Sequence, residues 1–128
     1  MITTPHQKYQ QNSVQTASPN KLIIMLYDGA IRFVKQGIDA IENKTIEQAN
    51  RNLIKAQNII HELTAALDFK YPIAKDLARI YEYMLYRLIE ANTNKDTAPA
   101  SEVLNHLLDL KEAWLQASNQ VPQSQKSV

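Results

Sequence analysis

Six apolar residues run without a break from Leu22 to Tyr27, directly after a helix-start signal. Ser18 is a good N-cap residue, and Pro19 suits the first helical position because the N–H it lacks would be unpaired there anyway. Successive residues on an α-helix sit about 100° apart, so six in a row go round the whole axis. A helix buried on one side needs only a stripe. This one needs apolar cover on its other side too, and a second molecule can supply it.

The rest of the chain fits a helical frame. Its 128 residues are enough for one domain with a core, and only 2 glycines and 5 prolines interrupt them. Ala, Leu, Ile, Gln, Asn, Lys and Glu dominate, a mixture that favours helices over sheet. The net charge of +1 gives no basic field for a nucleic acid. Without cysteine there is no disulfide, thiol catalysis or thiolate metal site, which fits a cytosolic location. The opening residues Met1 to Lys8 lack the apolar stretch of a signal peptide, and no apolar run is long enough to insert in a membrane.

Four segments carry helical spacing. Residues 1–17 are polar and read as a flexible N-terminal arm in which Tyr9 and Val14 are the large apolar anchors. From Pro19 to about Asn43, Ile23, Tyr27, Ala30, Val34, Gly37 and Ile41 keep a three-four spacing. Thr45 opens the next segment with Gln48 three residues on, a capping-box pattern. Ala49, Leu53, Ala56, Ile60, Leu63 and Leu67 follow, out to about Asp68. Phe69-Lys70-Tyr71-Pro72 breaks the chain, because the residue before a proline resists helical geometry.

The third segment, about Ile73 to Ala91, carries Leu77, Ile80, Tyr81, Met84, Leu88 and Ala91. Asn92 to Asp96 reads as a turn. Thr97 caps the fourth, with Pro99 in its first turn and Val103 or Leu104, Leu107, Leu110 or Lys111, Trp114 and Ala117 on its inner side. The expected architecture is all-α: an antiparallel up-down four-helix bundle over 18–118, with the arm before it and a short disordered tail over 119–128.

Chemistry is sparse. No Ser-His-Asp context and no Gly-rich phosphate loop are present. His6 lies in the arm, while His61 and His106 fall on different helices. Glu102 and His106 are four apart and suit a solvated helix pair. A di-metal bundle would need Glu-x-x-His on two helices, and the sequence has none. The chain is expected to be no enzyme and to need no cofactor or metal. Tyr81 is expected to point inward, with Tyr83 and Tyr86 nearer the surface, and Trp114 to anchor the core. Gly29 and Gly37 each weaken the first helix by about 1 kcal/mol relative to alanine. Either a neighbouring helix packs close there, or a bound helix gains access.

The assembled residues resemble the flagellin-specific secretion chaperone family, FliS. The resemblance rests on Tyr9, on Val14-Gln15-Thr16-Ala17-Ser18-Pro19, and on Leu22 to Ala30. It continues through Leu53 to Ile60 with Glu62-Leu63, Tyr83-Met84, Arg87 to Asn92, and Trp114. It implies a cytosolic chaperone that binds the C-terminal segment of flagellin, blocks premature polymerisation and delivers it to the flagellar type III export gate. It also implies that the client wraps round the bundle, that the arm can cover part of the client groove, and that Tyr9 inherits the export-gate docking role.

A disordered client must recover about 1–2 kcal/mol of backbone ordering per residue. Burying about 2,000 Å² of apolar surface would return on the order of 50 kcal/mol gross, most of it consumed by ordering. Surplus apolar positions are therefore the groove candidates: Leu22, Met25, Leu26 and Phe33 on the first helix, Ile54 and Ile59 on the second. Leu85 and Ile89 follow on the third, and Leu108 and Leu115 on the fourth. A self-associating helical adaptor is the other reading of the same surplus, and a homodimer of the free protein would cover it too.

Overall fold

The computed structural model describes residues 19–120, with side chains over 20–118. The arm, Tyr9 and the Ser18 cap lie outside these residues. Four helices follow in order: α1 (Pro19–Glu42), α2 (Ile46–Ala65), α3 (Ile73–Asn94) and α4 (Thr97–Gln120). At 1.5 Å per residue each is about 30–36 Å long. The connections span only 43–45, 66–72 and 95–96, so neighbouring helices run antiparallel. α1 packs on α2 and α4, and α3 closes the ring by packing on the same two, with α1 and α2 in the most extensive contact. This is the expected four-helix bundle.

The helix ends differ from the sequence reading in instructive ways. Thr45 makes no side-chain capping bond to α2. Its hydroxyl instead donates to the Ala40 carbonyl at 3.1 Å, and its N–H donates to the same oxygen at 2.9 Å, so it ties off the end of α1. α2 stops at Ala65 rather than Asp68. α3 runs on to Asn94, through the expected turn, and ends on Lys95 in the left-handed region at φ 50°. The Lys95 ammonium donates to the carbonyl and the side-chain oxygen of Asn92, a cation placed on carbonyls left open at a helix end. Asp96, not Thr97, caps α4: its Oδ1 accepts the Ala98 N–H at 3.0 Å. α4 includes 119 and 120, which were expected in the tail; the remaining tail residues lie outside the description.

The core follows the spacing. Tyr27, Val34, Leu53, Ile60, Leu63, Met84, Leu88, Val103 and Leu107 are fully buried. Ile80 and Ala117, expected inside, are exposed instead. Their helices turn the flanking residues inward, Tyr81 and Met84 on α3 and Leu110 and Trp114 on α4. At the centre, the Tyr27 and Tyr81 hydroxyls meet at 2.6 Å, one donating to the other. This bond joins α1 to α3 across the bundle. Burial is the main cause that pushes both phenols above their ordinary value.

The two glycines serve close packing against α2. A Cβ on Gly37 would stand 2.7 Å from Leu53 Cδ2 and 2.9 Å from its Cγ; one on Gly29 would stand 3.0 Å from Ile59 Cδ1. Gly37→Ala forces the branch point of a buried leucine to move. Overpacking of that kind costs about 1–3 kcal/mol, against about 1 kcal/mol gained in helix propensity. Urea unfolding should show Gly37→Ala destabilised by about 1 kcal/mol. Gly29→Ala meets only a terminal methyl and should be neutral or stabilising by up to about 1 kcal/mol. Equal effects at the two sites would refute this packing account.

Raised phenol pKa values tie stability to alkaline pH. The unfolded tyrosines release protons near pH 10 while Tyr27 and Tyr81 in the fold hold theirs, so stability is full below pH 10 and declines as pH rises beyond it. Tyr27→Phe should lose about 1–2 kcal/mol at pH 7, because Tyr81 loses its partner. It should also lose less further stability than the wild type between pH 9.5 and 11 (denaturant midpoints at each pH). Parallel pH profiles would contradict the assignment.

Candidate functional site

The seams between helices carry the surplus apolar residues, and three seams differ from the fourth. Leu22, Leu26, Gly29 and Phe33 recur at helical spacing on α1. Gly29 meets Ile59 and Lys55 lies over the Phe33 ring, so this stripe borders the α1/α2 seam. Leu22, Leu26 and Phe33 are half-buried there, and Met25 is exposed beside them. Ile59 is only 7 % exposed and belongs to the core, which removes it from the surface set. The expectation failed because α1 lacks a side chain at Gly29 and lets α2 sink Ile59 beneath it.

Asn92 donates to Asn50 Oδ1 at 2.8 Å and fixes the α2/α3 register. Leu85 and Ile89 share the Asn92 stripe, and Ile54 stands one turn after Asn50, so the three flank the α2/α3 seam. Ile54 and Ile89 are exposed and Leu85 is half-buried. Lys111 pairs with Asp28 at 2.6 Å across α1 and α4. Leu108 and Leu115, three before and four after Lys111, are exposed along that seam.

The α3/α4 seam is polar. Tyr83 donates to Glu102 Oε1 on α4, which also accepts Arg87 Nε at 3.2 Å, while Arg87 Nη1 pairs with Glu90 at 2.7 Å. The Tyr83 ring stands edge-on to His106. The hydrogen bond between Tyr83 and Glu102 is the main cause that raises the phenol and lowers the carboxyl from their ordinary values.

The end of the bundle where α2 passes to α3 holds an apolar cavity of about 490 Å³. Leu22, Ile23, Leu63, Leu67, Tyr71, Ile73, Leu77 and Trp114 line it, together with the Tyr81 ring; Asn20 and Asp68 add polar side chains. Trp114 is half-buried, and its Nε1–H is enclosed without a hydrogen-bond partner among the described residues. A buried donor left open costs about 1–3 kcal/mol, which an acceptor on a bound chain would recover. Of the sequence candidates only Leu22 lines this cavity. Leu67, Leu77 and Trp114 read as core stripe, and Tyr71 as part of a helix break. The signal was the break itself: Phe69, Tyr71 and Ile73 put large apolar groups where the other two connections carry Asn43-Lys44-Thr45 and Lys95-Asp96.

Apolar surface thus lies along three seams and at one end of the bundle. The family model described as "Flagellar protein FliS" matches residues 2–121. The chain is similar to the flagellar secretion chaperone FliS of Bacillus subtilis, 44 % identical over 116 residues, which is 91 % of this chain and 87 % of that one. It is also similar to the flagellar secretion chaperone FliSB of Pseudomonas aeruginosa, at 38 % identity over 84 % of this chain and 90 % of the relative. With the FliS of Salmonella typhimurium it shares 37 % identity over 84 % and 82 %. The chain belongs to the FliS family. Among its described residues no helix is long and apolar enough to cross a membrane.

The cavity has room for added apolar volume. Ala66 lines it, and Ala66→Leu should place methyl groups in vacant space worth about 0.8 kcal/mol per buried CH₂. The expected outcome is a variant more stable by about 1 kcal/mol, with blue-shifted Trp114 emission. Destabilisation would mean that the space is already filled.

Proposed function

We propose that this chain is a cytosolic, non-catalytic export chaperone. It binds the C-terminal segment of flagellin, keeps it from polymerising and delivers it to the flagellar type III export gate. The observation that carries this reading is the apolar lining of three seams and one end of a small FliS-family bundle. Leu22, Met25, Leu26 and Phe33, then Ile54, Leu85 and Ile89, then Leu108 and Leu115 offer separate tracks, and the cavity offers a terminal pocket. A client that lies along several seams buries enough aliphatic surface to offset its own ordering. The polar α3/α4 seam, already paired, is the face such a client passes by. Tyr9 is the docking candidate for the gate by resemblance, separate from the client tracks.

Co-purification with full-length and C-terminally truncated flagellin is the direct test, and truncation should abolish capture. Leu26→Asp and Ile89→Asp should keep the helical circular dichroism and weaken binding at least about tenfold, the loss of roughly 1.4 kcal/mol. Trp114, the single tryptophan of the chain, should change its emission when the client binds. Equal capture of truncated flagellin would remove the C-terminal segment as client. Light scattering that finds an oligomer unchanged by flagellin would favour the self-associating adaptor.

A further inference from the structure

On the α1/α2 seam two cations converge on one aromatic ring. The Arg32 guanidinium carbon lies 4.9 Å from the Phe33 ring centroid, and Lys55 Nζ, from the facing helix, lies 5.3 Å from it. Among the described residues neither has a carboxylate within ion-pair distance; the ion pairs there involve Arg87 and Lys111. Each cation is attracted to the electron-rich ring. An anion beside the ring would offset their mutual repulsion.

The place of this group along the seam matters as much as its charge. The apolar stripe of α1 runs Leu22, Leu26, Phe33, about 16 Å along the axis. Beyond Phe33 it stops. Gln36 is exposed, Gly37 and Ala40 are buried, and Leu53 fills the approach to Gly37. An apolar track that ends on two cations, neither ion-paired among the described residues, is complementary to a peptide that ends there in a carboxylate.

We propose that Arg32 and Lys55, seated over Phe33, bind the terminal α-carboxylate of the peptide held in the α1/α2 seam. The client lies with its apolar residues on Leu22 and Leu26 and its last residue beside Phe33. This rests on the reading of the chain as a chaperone for the flagellin C-terminal segment, and it adds which end of the client is read and by which groups. The pairing fixes the register of a segment that apolar contacts alone would let slide.

Calorimetric titration with a synthetic flagellin C-terminal peptide tests it, with the terminus either free or amidated. Exposed ion pairs are individually weak, so amidation should weaken binding to the wild type about five- to tenfold. The Arg32→Gln/Lys55→Gln double variant should lose affinity for the free acid by the same factor and show no further loss with the amide, the signature of direct coupling. Arg51→Gln, a cation of α2 outside the pair, should leave both affinities unchanged. If amidation has no effect on the wild type, the proposal is overturned. If the double variant weakens the acid and amide forms equally, the cations read a side-chain carboxylate and the terminal assignment is again overturned. Failure of the free-acid peptide to bind the wild type would instead overturn the chaperone reading on which the proposal stands.

Discussion

Close approach at one end of the bundle, forced by small residues, is the constraint on which the rest depends. The connections over 43–45 and 95–96 both lie at that end. So do Gly37, Ala40, Ala49, Ala91 and Ala100, all buried. With no side chain at Gly37, Leu53 sits against the α1 backbone. Small residues bring helix axes together and gain dispersion contacts over the whole approach. At the opposite end the inward residues include Ile23, Leu63, Leu77 and Trp114, and the seven-residue connection over 66–72 adds Leu67 and Tyr71 to the cavity wall. The cavity lies among these large groups. Tyr27 and Tyr81 mark the boundary between the regimes: their hydroxyls bond to each other, so burial leaves neither without a partner.

This gradient explains why the chain can carry apolar surface without collapsing onto it. The tight end and the fully buried central residues supply a cooperative core. Ile54, Ile89, Leu108 and Leu115 stand on the flanks of the seams, where the core needs nothing from them. Charged and amide groups lie close by: Lys55 at Phe33, Asn50 and Asn92 at the Ile54 level, and the Asp28–Lys111 pair between Leu108 and Leu115. Polar neighbours divide the apolar surface into tracks, a form that limits nonspecific aggregation and leaves a peptide room to lie between them.

The fold was legible because each helix repeats its apolar residues at three-four spacing and the breaks carry turn chemistry. Tyr27, Val34, Leu53, Ile60, Met84, Leu88 and Leu107 lie in the core as periodicity required. Caps were less legible, since they depend on which of two adjacent polar residues reaches which backbone group. Thr45 and Thr97 are both good cap residues by type. Yet Thr45 is held by the Ala40 carbonyl, and Asp96 reaches the Ala98 N–H first. The candidate site was legible as a surplus but not as a place. Ile59, three after Ala56 and four before Leu63, was on the core stripe by spacing, while Ile54 was not, and the missing Cβ of Gly29 lets Ile59 sink against α1. The cavity was hidden because its wall draws on all four helices.

The polar α3/α4 seam completes the logic of the bundle. A peptide that competes for an apolar seam can also pry it apart, since the same side chains face the core and the ligand. Glu102 ties Tyr83 and Arg87 of α3 to α4 through hydrogen bonds that an aliphatic segment cannot replace. The Tyr27–Tyr81 bond ties α1 to α3 across the centre in the same manner. Together they link α1, α3 and α4 through polar contacts, while α2 is held by the Asn50–Asn92 hydrogen bond to α3 and by close packing against the glycine face of α1. Apolar ligands exchange readily with apolar contacts and poorly with satisfied polar ones. A scaffold that presents aliphatic tracks without being unzipped along them therefore gains from polar ties between its helices.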